Sequence, residues 1–189
     1  MPNWSFNRMQ VNANTDAERK EVQRLRDTIK SVDKFEDGSE VPTPFSFNKI
    51  IPMPKELEGT RSPVENPDSE ENKALRAKYG FDNWYDWRWS NWGTKWDACE
   101  VYDESDGDEF VLTFDTAWSF PTPVVVKLSK MFPTLTFTYN ATEESGMYDF
   151  TVDFKDGEVM YYAEFEKVDG NDPDSETVEV EKPPMDFWK

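Results

Sequence analysis

The chain has 189 residues, 21 of them basic and 39 acidic, no histidine, and a formal net charge of −18. A surface this negative repels nucleic acid and membranes and suits a basic protein groove. Without histidine the commonest general base and metal ligand is missing, and the single cysteine, Cys99, allows neither an intrachain disulfide nor a cysteine metal cluster.

Trp4 to Val11 reads as a first strand. Thr15 and Glu18 then form a capping box. Val22, Leu25, Ile29 and Val32 follow at spacings of three and four, which predicts an amphipathic helix ending near Lys34. Residues 36–68 hold six prolines and no sustained period, so a long loop is expected, with one extended piece from Phe45 to Ile51. A short helix follows, capped by Asp68 or Ser69 and closed by Gly80. Residues 81–96 then carry Phe81, Trp84, Tyr85, Trp87, Trp89, Trp92 and Trp96.

A strand from about Lys95 to Tyr102, in which Cys99 reads as a buried, inert thiol, leads into the acidic loop 103–109. The next strand alternates Phe110, Leu112, Phe114, Thr116 and Trp118 against Val111, Thr113, Asp115 and Ala117. Thr122 as N-cap and Pro123 at the first helical position open a second helix burying Val124, Leu128 and Met131. Leu135, Phe137 and Tyr139 alternate in a fourth strand.

Residues 147–166 read as a hairpin around Asp156-Gly157, a dipeptide suited to a two-residue type I′ turn. An uninterrupted register places Phe154 opposite Val159, Val152 opposite Tyr161, Phe150 opposite Ala163 and Tyr148 opposite Phe165. It also sets Asp149 across from Glu164, with Asp153 and Glu166 nearby. Like charges opposed across strands are destabilising, so binding rather than folding would account for them.

The order predicts an α+β, ferredoxin-like βαββαβ sheet with a long insertion after the first helix and an added C-terminal hairpin. One domain spans 1–166, with the Pro- and Trp-rich insertion at 36–94, and 167–189 is an acidic, mobile tail. Low hydropathy with high charge argues for disorder. Eight Trp, seven Tyr and fourteen Phe argue for a packed core, since each buried ring removes roughly 150–250 Å² from water.

The run Tyr79-Gly80-Phe81-Asp82-Asn83-Trp84-Tyr85-Asp86-Trp87, then NWGTKWDA, then Thr116-Ala117-Trp118-Ser119 before Pro121 and Pro123, resembles the Api92-like (YubB-type) ferredoxin-domain family. The upstream run from Phe45 to Pro54 fits the same pattern. The resemblance spans roughly 45–140. It implies a ferredoxin-like fold and an origin on phages or conjugative plasmids, hence a bacterial cytoplasm, and it carries no catalytic residues.

The acids are concentrated. Trp96 to Val126 holds eight (Asp97, Glu100, Asp103, Glu104, Asp106, Asp108, Glu109, Asp115) and no base, while Asn140 to Lys189 holds fifteen against four bases. The leading reading is a non-enzymatic, nucleic-acid-mimicking inhibitor of a basic host defence or DNA-processing protein. Its partner-binding residues would be Asp103, Glu104, Asp106, Asp108 and Glu109 in the loop and Asp149, Asp153, Glu164 and Glu166 on the hairpin. Exposed rings such as Tyr162 would stand in for bases. The alternative is a small-ligand or nucleotide-binding module in which Trp92 and Trp96 stack and Lys95 pairs an anion; the plainer reading of those three is structural. The loop lacks the spacing of a calcium-binding loop, and no phosphate loop, dinucleotide fingerprint or nucleophile elbow occurs. No cofactor, metal, membrane or direct nucleic-acid binding is expected.

Overall fold

The computed structural model describes residues 3–34, 38–168 and 175–183. Strand β1 (Trp4–Asn12) leads to helix α1 (Asp16–Ile29). The capping box forms as the sequence implies: the Glu18 backbone N–H donates to Thr15 Oγ1, and the Thr15 N–H donates to Glu18 Oε2. Val22, Leu25 and Ile29 are buried. The helix stops at Ile29 because Lys30 turns extended, with φ −66° and ψ 147°. Val32, expected on the buried stripe, is 46 % exposed and belongs to β2 (Ser31–Lys34), which pairs with β3 (Glu40–Thr43).

The insertion is more regular than its prolines suggest. Phe47–Lys49 forms a single 3-10 turn within the piece expected to be extended, and α2 (Lys55–Glu58) follows. Helix α3 (Glu70–Tyr79) has Ser69 as N-cap and left-handed Gly80 as C-cap, as read from sequence. Helix α4 (Trp84–Trp92) starts at Asn83, whose Oδ1 accepts from the Asp86 N–H, and ends at left-handed Gly93. Its aromatic residues are spread around the axis and draw no single apolar stripe, so only the two caps announce it in the sequence.

Strands β4 (Cys99–Asp103) and β5 (Glu109–Ala117), helix α5 (Thr122–Met131), and strands β6 (Phe137–Glu143), β7 (Asp149–Lys155), β8 (Glu158–Lys167) and β9 (Thr177–Glu181) complete the chain. The first of these strands begins four residues later than Lys95, and Cys99 at its start is half-buried. Pro121 rather than Thr122 is the N-cap of α5, and Met131 is only half-buried.

All neighbouring strands of the seven-stranded sheet pair antiparallel, in the order β4-β5-β1-β6-β7-β8-β9. Because β5 lies between β1 and β4, and β1 between β5 and β6, both helical crossovers skip one strand. That is the split βαβ arrangement of a ferredoxin-like fold. Helices α1 and α5 cover one face, where Val22, Leu25, Ile29, Val124 and Leu128 meet Met9, Phe110, Leu112, Phe114, Tyr139 and Phe154. The opposite, open face leaves Phe6 and Tyr102 exposed among the described residues.

Two expectations about the C-terminal part fail. The hairpin keeps its turn, with Lys155 opposite Glu158 and Phe154 opposite Val159, but the register then shifts and Asp153 faces Tyr161. Met160 is the extra residue of a bulge, and one added residue moves every later side chain to the other face. Tyr162 therefore lies on the core face opposite Val152 and is only 2 % exposed, so it is not a base-mimicking surface ring. Glu164 faces Phe150 instead of Asp149. Nor is all of 167–189 a tail without structure: β9 adds a seventh strand along β8. The rest of that span at 169–174 and 184–189 lies outside the described residues.

Candidate functional site

The structure divides the nine predicted partner-binding acids instead of gathering them. In the loop, Asp103 Oδ2 accepts from Arg26 Nη1 at 2.5 Å. Asp108 takes a two-point contact from Arg19, at 2.7 and 2.9 Å. Glu109 Oε1 lies 3.5 Å from Arg8 Nη2. Glu104 accepts from the Thr113 hydroxyl, and Asp106 closes the turn through backbone bonds with Glu109. Partial burial pushes the Asp103 carboxyl up, but Ser105 and Arg26 more than offset it, and the net shift is downward. The Arg19 guanidinium holds Asp108 below its ordinary value. The loop is thus a hairpin end with much of its charge neutralised against α1 and β1.

On the hairpin, Glu164 and Glu166 project from the core-facing side of β8, and both bond Lys182 just beyond β9. Asp149 and Asp153 are on the other face. Asp149 accepts from Thr142 Oγ1 at 2.9 Å, while the buried Oδ1 of Asp153 has no hydrogen-bond partner among the described residues.

The tryptophan segment is structural. Trp92 is 1 % exposed, donates from Nε1 to the Ile51 carbonyl at 2.9 Å and packs edge-on to Phe47 and Trp87. It cannot stack on a ligand. Trp96 leans on Trp4, with Lys95 lying over the Trp96 and Trp118 rings at 4.7 and 5.3 Å. Gly93 is left-handed, φ +75°, and a Cβ there would meet Pro123 Cδ at 2.9 Å, so the motif needs its glycine to pass α5.

What the fold does gather lies on the open face. Register places Asp115 of β5 beside Phe6 of β1, and Thr113 beside both Arg8 and Tyr102. A bulge in β4 between Cys99 and Tyr102 puts Glu100 in the left-handed region, φ +46°. These residues, with Asn140 and Thr142, line a cavity of about 370 Å³. Burial, and then the Glu100 charge, push the Asp115 carboxyl above its ordinary value. Farther along the same face stand Asp149, Asp153, Glu179 and Glu181, the last two paired with Phe165 and Ala163. A larger cavity of about 860 Å³ lies between α1 and the β2–β3 hairpin, but its Arg26 and Lys30 are already paired with Asp103 and Asp27.

The sequence reading missed Phe6, Arg8, Tyr102, Glu179 and Glu181, and did not single out Glu100 or Asp115. One signal was there. In β1 the apolar residues change phase: Trp4 and Phe6 occupy even positions, Met9 and Val11 odd ones. Inward-facing Ser5 and Asn7 are buried and bonded to each other, leaving Phe6 to point outward. Among the described residues no group of three or more His, Cys, Asp or Glu side chains is placed to hold a metal ion, and no helix is long and apolar enough to cross a membrane.

An antiparallel sheet with two split crossovers, helices on one face and an open second face define a ferredoxin-like α+β domain. Residues 91–183 match the family model described as the ferredoxin-like domain in Api92-like protein. Over that span the chain is similar to Api92-like proteins. A crystal structure of a protein Api92 from Yersinia pseudotuberculosis is 10 % identical, covers 88 % of this chain and 99 % of its own, and superposes with a TM-score of 0.46. No curated protein matches the chain.

Proposed function

We propose that this protein is a non-enzymatic inhibitor that occupies the nucleic-acid-binding groove of a basic partner, using the open sheet face rather than the acidic loop. One observation carries the reading: that face presents Glu100, Asp115, Asp149, Asp153, Glu179 and Glu181, and Arg8 is drawn away to Gln10 and Glu109. Neighbouring strands lie about 4.8 Å apart, so carboxylates on β5, β7 and β9 stand on a rigid grid at intervals of about 10–14 Å. Lysine- and arginine-lined grooves that neutralise phosphates meet a comparable array. The mobile-element origin implied by the family resemblance makes a bacterial defence or DNA-processing protein the partner, met in the bacterial cytoplasm.

The experiment is an affinity capture from bacterial lysate, identified by mass spectrometry and repeated with duplex DNA as competitor. The expected result is a DNA-binding protein that DNA displaces, and whose capture weakens when Asp149→Asn, Asp153→Asn, Glu179→Gln and Glu181→Gln are combined. Capture that resists DNA and survives those changes across a salt series refutes the reading and leaves the acids a solubilising role.

A further inference from the structure

The cavity on the open face has walls as well as charge. Three aromatic residues are strongly exposed among those described: Phe6 at 49 %, Trp89 at 45 % and Tyr102 at 57 %. Two of them, Phe6 and Tyr102, line this one cavity. Carboxylates alone would define no site; here Asp115 lies between two rings that folding has left in water. Phe6 is its lateral neighbour on β1, and Tyr102 is diagonal to it on β4.

The polar groups are set for a cation. Asp115 is half-buried with no cation against it among the described residues, and the Tyr102 hydroxyl donates to Glu100 Oε2 at 2.9 Å, so Glu100 leans over the same space. Arg8, the sole cation of the lining, is bonded through Nη1 to Gln10 and lies near Glu109 through Nη2, toward the other end of the strands. Thr113, Asn140 and Thr142 supply neutral donors and acceptors around the rim. A flat cation with an apolar stem matches this combination. A guanidinium stacks on aromatic faces, bonds a carboxylate at two points and sheds water more readily than an ammonium.

We propose that the cleft between Phe6 and Tyr102 seats one arginine side chain, its guanidinium on the Asp115 and Glu100 carboxylates and its stem against the two rings. This rests on the groove-occupying reading and deepens it, because the arginine would come from the partner's phosphate-binding groove. It also accounts for two uneconomical local features, the left-handed Glu100 and a carboxylate pair held together without a counter-ion.

The test uses the full chain and a ten-residue Gly-Ser peptide with one central arginine, followed by NMR at low salt. Shifts at Phe6, Tyr102 and the backbone around Asp115 are expected. Replacing the arginine by neutral citrulline should weaken binding by about tenfold or more, and by lysine about threefold. Asp115→Asn should weaken it by about tenfold and Tyr102→Ala by about threefold, with unchanged thermal midpoints, while Asp153→Asn on the same face changes it less than about twofold. Equal binding of the citrulline peptide, shifts centred elsewhere, or an equal loss with Asp153→Asn overturns the cleft. If a DNA-displaced partner is captured but Asp115→Asn and Tyr102→Ala leave its capture unchanged, the cleft is wrong and groove occupation stands. If the arginine peptide seats as expected and no such partner exists, groove occupation is wrong and the cleft stands.

Discussion

Lys182 Nζ lies 2.9 Å from Glu164 Oε2 and also bonds Glu166, so the residue following β9 brings a cation to two acids of β8. Lys182 first and the Tyr162 hydroxyl second hold the Glu164 carboxyl below its ordinary value. A carboxyl depressed in the folded state adds stability above its unfolded pKa and loses it as pH falls through the folded value. The attachment of β9 should therefore loosen in acid, below the ordinary glutamate value of 4.5. Glu164→Gln and Lys182→Ala should each speed amide exchange at Val178 and Val180 at neutral pH and remove that acid dependence. Asp149→Asn, which breaks no cross-strand charge pair, should leave the exchange unchanged.

Trp92 and Trp96 differ in burial and should differ in cost. Trp92→Ala removes a fully buried ring and leaves the Ile51 carbonyl without its donor, a loss of about 3–5 kcal/mol. Trp96 is half-buried against Trp4 and under Lys95, and its loss should cost about 1–2 kcal/mol. Denaturant unfolding with matched slopes separates the two.

Asp97 ties the insertion to the sheet. Its carboxylate accepts from Ser46 Oγ at 2.7 Å, the Phe47 N–H at 2.6 Å and the Ala98 N–H at 2.8 Å. Asp97→Ala leaves those donors buried and unpaired and should cost about 2–4 kcal/mol. Burial pushes this carboxyl above its ordinary 3.8, against the pull of its hydrogen bonds. A raised folded value means that the native state holds the proton longer, so this group's contribution falls as pH rises from the unfolded value through the folded one. Comparing the pH dependence of unfolding between the parent and Asp97→Asn should show that component disappear.

Glu100 is left-handed at φ +46°. Glu100→Gly accepts that conformation without the side-chain penalty and removes a like charge from Asp115, so it should stabilise the fold by up to about 1 kcal/mol. The same change should weaken arginine-peptide binding. A thermal melt and the NMR titration report the two effects separately.

With a net charge of −18, the chain itself should show no measurable affinity for duplex DNA at about 0.15 M salt. Fluorescence anisotropy with a labelled short duplex is sufficient; a saturable rise would contradict the charge argument.

Local chemistry was legible at several self-contained motifs. Thr15 with Glu18, Ser69 with Gly80 and the Asp156-Gly157 turn were each read from a few residues and stand in the structure. The strand order followed from counting elements, since β-α-β-β-α-β leaves few unknotted antiparallel arrangements. Helix α4 was missed because aromatic residues all round its axis give no period, although Asn83 and Gly93 marked its ends.

The candidate site was less legible because long-range pairing builds it. Arg19 reaches Asp108 across 89 positions and Arg26 reaches Asp103 across 77, which takes much of the acidic loop out of play. The Met160 bulge turns Tyr162 inward, and β9 supplies a partner for Glu164 that the hairpin alone does not have. Composition and spacing determined the sign of the charge, the aromatic core and the order of strands and helices, because these depend on residue type and near neighbours. Tertiary structure decided which carboxylates are neutralised and which remain on the open face, because a one-residue register shift or a distant arginine changes a side chain's surroundings without any local mark in the sequence.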